Sequence, residues 1–185
     1  MKKKIGIILV ACFAMFATGC GCDQKKNADE QKQDQTSITK AEIQEDLVTP
    51  LESSMENQQV DKISGFISEQ SDYYELLNGI VQNTDPTMTS EMYQAYLTTR
   101  TQDEYAIEEI DGQYYLSFTG ETIDLLSMTS TGGYTDLASF QALLAQQPKN
   151  KGGVLIRLIE EDGTWKIDPS DINFGMVLFG GTVVQ

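Results

Sequence analysis

The chain of 185 residues contains no histidine. That removes the commonest general base and the imidazole metal ligand, and neither a Ser-His-Asp nor a Cys-His arrangement can be built. Cysteine is scarce, at three, proline numbers four and tryptophan one. Cations are also few, with 13 Lys and Arg against 28 Asp and Glu. A surface of that balance repels nucleic acid and anionic headgroups, so neither is expected as a partner of the folded part. No Gly-x-Gly-x-x-Gly, Walker loop or paired Cys-x-x-Cys occurs. No catalytic residue, cofactor or metal site is therefore expected.

What the chain does have begins at its start. Lys2, Lys3 and Lys4 precede a 13-residue stretch, Ile5 to Ala17, without a charge. A membrane span needs about 20 apolar residues, so this one is too short. A basic start, a short apolar run and small residues before a cut form the pattern of a secretory signal. Here Ala17, Thr18 and Gly19 stand directly before Cys20. This resembles the bacterial lipobox, which implies a signal peptide over 1–19, lipidation of Cys20 and a membrane anchor on the extracytoplasmic face. Cys12 would leave with the signal, so Cys22 would be the one cysteine left besides the anchor, with no internal disulfide open to it. Its state, free, acylated or paired with another chain, stays open.

Residues 20–37 read as the lipidated cysteine and a tether, because "DQKKNADEQKQDQTS" has no large apolar side chain to offset its conformational entropy. About 15 flexible residues hold a domain some 20 Å from the membrane. Residues 38–185 are then a single domain, long enough to bury about two-thirds of its unfolded surface. They carry 7 basic and 24 acidic residues, a net charge of −17.

Within that domain the periodicity first changes at Glu104. Ile43, Leu47 and Leu51 recur at helical spacing, with Pro50 marking either a kink or a boundary between two helices. Val60, Ile63, Phe66 and Ile67 predict a second helix. Tyr73, Leu76, Leu77, Ile80 and Val81 predict a third, and Met92, Tyr93, Tyr96 and Leu97 a fourth. From Glu104 the pattern alternates. Asp111-Gly112 and Asp162-Gly163 are hairpin turns, each flanked by strands. Asp136 can cap a helix carrying Leu137, Phe140, Leu143 and Leu144. The segment 121–128 fits strand or helix, and the form of 172–185 is open. Helices first and strands later give an α+β fold.

The last hairpin, "RLIEEDGTWKIDPSDINFGMVLFGG", with Glu161, Asp162, Gly163, Trp165, Lys166 and Ile167, resembles that of exported bacterial lipoproteins with a cystatin-like, nuclear transport factor 2-like domain. The resemblance implies a curved antiparallel sheet wrapping the N-terminal helices around a cone-shaped cavity. Tyr73, Tyr93, Tyr105 and Tyr114 would be the candidate lining of that pocket, although tyrosines at such spacing more often pack with the hydroxyl at a rim. Trp165 is expected to be buried against the helices. Asp103 and Asp124, next to element junctions, are expected outside any cavity shared with a tyrosine hydroxyl. Glu160, Glu161 and Asp162 lack alternating calcium ligands and read as a solvated turn. Two functional classes remain open. One is a non-catalytic module binding a small molecule, a peptide or a cell-envelope partner; the other is a small histidine-free enzyme of the polyketide cyclase or ketosteroid isomerase type.

Overall fold

The computed structural model describes residues 39–180. The expected signal peptide, Cys20, Cys22 and the expected tether lie outside that range. The helical run at 39–43 passes through a π-helical turn, Gln44–Val48, into α1 (Thr49–Glu56) without a break. Pro50 explains the widened turn. Its ring would strike the carbonyl four residues back in a regular helix, and it has no N–H to donate. In the wider turn the Thr49 N–H bonds Gln44 O, five residues back. So Pro50 neither splits the helix nor ends it.

Three helical pieces follow. They are α2 (Val60–Ile63), continued by a 3-10 turn over Ser64–Phe66, then α3 (Asp72–Val81) and α4 (Ser90–Leu97). Ser71 and Thr89 cap the last two, accepting hydrogen bonds from Tyr73 N and Met92 N at 3.3 Å. Each helix turns its predicted apolar stripe inward: Leu77 and Ile80 from α3, Met92, Tyr93, Tyr96 and Leu97 from α4.

The strands β1 (Thr101–Ile110), β2 (Gln113–Thr122), β3 (Asn150–Glu161) and β4 (Thr164–Ile167) form one antiparallel sheet in the order β1-β2-β3-β4. Both Asp-Gly pairs make the tight hairpins their sequence predicts. Asp111 and Gly112 have φ of 54° and 80°, and Asp162 and Gly163 have 53° and 74°, so both central residues of each turn are left-handed, as in a type I′ turn. The α+β class holds. β2 ends at Thr122, and the undecided segment then becomes helix α5 (Leu125–Thr131), capped by Asp124 through the Ser127 N–H at 3.0 Å. Asp136 caps α6 (Leu137–Leu144).

One sheet face carries the core, with Leu116, Phe118, Ile156, Leu158 and Ile167 buried. Trp165 lies on the same face but is only half-buried, packed edge-on against Tyr114 at 5.5 Å. The expectation of full burial is corrected: β4 has four residues and ends the sheet, so its tryptophan sits at the margin of the core. The open C-terminal stretch forms α7 (Phe174–Phe179), in which Phe174, Gly175, Val177, Leu178 and Phe179 are all buried. A Cβ on Gly175 would stand 2.4 Å from the Tyr73 hydroxyl oxygen, so any larger residue there must displace the Tyr73 ring.

Candidate functional site

The chain leaves α4 at Leu97 and enters β1 at Thr101, and Arg100 stands in the corner between them. Its side chain is 4% exposed, an unusual burial for the strongest cation among the side chains. Arg100 Nε donates to Asp103 Oδ2 at 2.8 Å. Nη1 donates to the Tyr96 hydroxyl at 3.4 Å and to the carbonyl of Val177 in α7. The guanidinium also lies over the Phe118 ring, 5.4 Å from its centroid. Arg100 thus ties α4, β1, β2 and the last turn of α7 together. Tyr93 supports the same helix end, its hydroxyl donating to Leu178 O at 2.9 Å.

Asp103 reaches this corner through an irregularity. The β1–β2 register runs Thr101↔Glu121 and then Glu104↔Thr119, so β1 carries one extra residue there, a β-bulge. Asp103 sits on the bulge, on the face shared by Tyr105 and Ile107, with its side chain 17% exposed. Opposite it, Gly120 leaves the room. A Cβ at that position would stand 2.4 Å from Asp103 Oδ1 and 2.7 Å from Phe118 Cζ.

Burial pushes the Asp103 carboxyl up, and the Arg100 guanidinium only partly offsets this. Burial works against the Arg100 charge, yet Tyr96, Asp103 and Tyr105 outweigh it and hold the guanidinium firmly cationic. Desolvation raises the Tyr96 hydroxyl to about 12, against the pull of Arg100. Three buried atoms of the cluster have no hydrogen-bond partner: Arg100 Nη2, Asp103 Oδ1 and Tyr105 Oη. Buried polar atoms are seldom left so, and sites that do this deserve a functional account.

An open cleft of about 400 Å³ adjoins the cluster. Arg100, Asp103 and Thr101 form one wall, Leu97 and Thr98 the end of α4, and Met55, Glu56 and Gln58 the other side. This is the size of a small-molecule site. A smaller cleft of about 240 Å³ lies between α5 and the end of α6, where Ile123, Met128 and Leu143 dominate and Asp124 stands at the edge. A third, of about 490 Å³, is a shallow depression between α4 and α6.

None of the four candidate tyrosines lines any of these three clefts. Tyr93 is fully buried, stacked on Tyr96 at 5.8 Å. Tyr73 donates to Ile172 O at 2.8 Å and packs on Phe179. Tyr114, at the turn end of β2, packs against Trp165 of β4. Tyr105 alone joins the Arg100 cluster, behind its wall, beside Phe118 at 5.3 Å. Asp124 holds a helix cap, accepting also from Ser127 Oγ at 2.8 Å, in a cleft without a tyrosine. Asp103, by contrast, lines a cleft, though not one shared with a tyrosine hydroxyl. The bulge, the space over Gly120 and the arginine partner together bring it in. Its hydrogen bond goes to Arg100, and no tyrosine hydroxyl bonds it.

Arg100 itself escaped sequence reasoning, which looked for acids and tyrosines. The available hint was rarity: Arg100 and Arg157 are the only arginines in the chain. Arg157, its side chain 46% exposed, pairs with the buried Asp168. Among the described residues no group of three or more His, Cys, Asp or Glu is placed to hold a metal ion, and no helix is long and apolar enough to cross a membrane. Against known proteins, the chain matches no family model, no curated sequence and no solved structure.

Proposed function

We propose that this chain is a lipoprotein anchored to the extracytoplasmic face of the cell membrane through Cys20, and that its single domain is a non-catalytic binding module. The cleft beside Arg100 carries the second half of the reading. It is open and polar, it is walled by a buried ion pair, and its size suits a small molecule or the end of a peptide. The tyrosine hydroxyls at 73 and 93, which a cyclase-like reaction would need free, are spent on backbone carbonyls. The helices preceding a four-stranded antiparallel meander also support the cystatin-like, nuclear transport factor 2-like cone as the architecture.

A full-length protein titrated with cell-envelope fragments, metabolites and metal ions should melt at a higher temperature with its ligand. At 100 times the dissociation constant the gain is about 2.7 kcal/mol, well within measurement. A panel in which nothing shifts the transition would sink the binding-module reading. For the anchor, Cys20→Ala should leave the precursor uncleaved and without lipid in a mass spectrum of the membrane fraction. A mature, unmodified protein released into the medium would overturn that part.

Asp103 favours one alternative, a small histidine-free enzyme. It lines the cleft and its carboxyl is raised by burial, as a general acid or base requires. Turnover of a bound compound that Asp103→Asn abolishes while binding survives would select this alternative.

A further inference from the structure

The Arg100 cluster constrains what the cleft can take, and we infer that it is a site for a free α-amino group beside a carbonyl, as in an amino acid or the N-terminus of a short peptide. This rests on the binding-module reading and narrows it. Two of the unpartnered atoms belong to residues on the cleft wall: Arg100 Nη2, a donor, and Asp103 Oδ1, an acceptor. A ligand that satisfies both must present an acceptor oxygen and an N–H donor side by side.

Charge then selects among such groups. Asp103 already neutralises Arg100, so a second anion alone gains little from the guanidinium. Glu56 stands in the same cleft, and it and Asp103 leave the wall with a net negative charge. The domain as a whole carries −17. A lone carboxylate or phosphate is repelled, whereas an ammonium is drawn in, with its adjacent carbonyl oxygen left for Arg100. The ammonium meets Asp103 and Glu56. Met55 and Leu97 supply an apolar wall for a short side chain.

Access is from the cleft, which Arg100 and Asp103 both line, and Asp103 is the more exposed half of the pair.

The test is calorimetric titration and thermal melting of the full-length protein with three sets of probes: free amino acids, dipeptide amides, and the N-acetylated form of each. We expect saturable binding by a member of the first or second set, and which of the two binds tells whether the source is a free amino acid or a peptide end. Acetylation should abolish it. Asp103→Asn and Arg100→Lys should each weaken binding roughly tenfold or more, as the loss of one charged hydrogen bond does. Should Arg100→Lys fail to fold, Thr98→Trp serves instead: it fills the cleft from an exposed rim position, and must abolish binding at an unchanged melting temperature.

Equal binding of acetylated probes, or full affinity in Thr98→Trp, overturns the inference. Silence from all three sets does so too. If another class of compound then binds, the binding module stands and only this ligand assignment falls.

Discussion

At the scale of single residues, Gly120 and Arg100 show how little of a site is visible one position at a time. Gly120 lies in a strand, where glycine is normally a weakness. Its value is the space it leaves for Asp103 Oδ1 and the Phe118 ring. Gly120→Ala should cost about 1–3 kcal/mol, the usual range for overpacking, and should push Asp103 off Arg100. Denaturant unfolding gives the first quantity, and ligand titration shows the second. Arg100 was legible only as a rare residue. Its role depends on Val177, 77 positions away, which no local pattern announces. Trp165 makes the opposite point, since the sequence marked it and overstated it. Trp165→Ala in a full core would cost 3–5 kcal/mol. Half-buried beside Tyr114, it should cost about 2 kcal/mol. A loss near zero would mean that the ring lies free of the core.

Among elements, the hairpins were the most legible. Asp-Gly flanked by alternating apolar residues specifies its own backbone, and the left-handed angles at 111, 112, 162 and 163 are what that dipeptide provides. Gly112 has φ of 80° and open space around it, so Gly112→Ala meets backbone strain and no clash. It should lower stability by about 1–2 kcal/mol. Gly65, in the 3-10 turn, also has open space but ordinary φ. Gly65→Ala should be neutral or stabilising, by up to about 1 kcal/mol, since alanine narrows the unfolded ensemble. Chemical denaturation of the pair separates strain from space, and equal effects would refute the distinction. The π-helical turn was half legible: Pro50 announced an irregularity, but whether the helix would break or widen depended on the burial of Leu47, Val48 and Leu51 on either side of it. With those three facing the core, a break would expose them, and widening keeps them in place.

For the molecule as a whole, acid should expose two opposed carboxylates. Burial works against the Asp168 charge, but the Ser170 hydroxyl and N–H together with Arg157 outweigh it and hold its carboxyl below the ordinary 3.8. A lowered group contributes stability above its unfolded pKa and loses it as pH falls through the folded value. Asp103 is raised, so its contribution is full below 3.8 and is lost as pH rises through its folded value. The melting temperature of the wild type should therefore rise as pH falls toward about 3.8, through the Asp103 window, and fall below about 3.8, through the Asp168 window. Asp168→Asn should flatten the fall, and Asp103→Asn should remove the rise. Thermal melts from neutral pH down to below 3.8 check both signs. If the two variants change the slope in the same direction, the assignment of the two shifts is wrong.

The sequence by itself determined the α+β class, the two type I′ hairpins, the apolar faces of α3 and α4 and the cap of α6. Each of these is set by residues within a few positions of one another, through backbone preference, helical or strand period and side-chain caps. The tertiary structure alone decided the rest. Segment 121–131 divides into the end of a strand and a helix because Thr122 still has Asn150 to pair with and the following residues have no strand beside them. α7 is a helix because its apolar residues, buried on every side, must satisfy their own backbone, with its last carbonyls left to Arg100 and Tyr93. Asp103 is enclosed because a bulge in β1, a glycine in β2 and an arginine in the corner before β1 meet at one point. Such a meeting is a property of distances in space, and the order of residues along the chain carries no record of it.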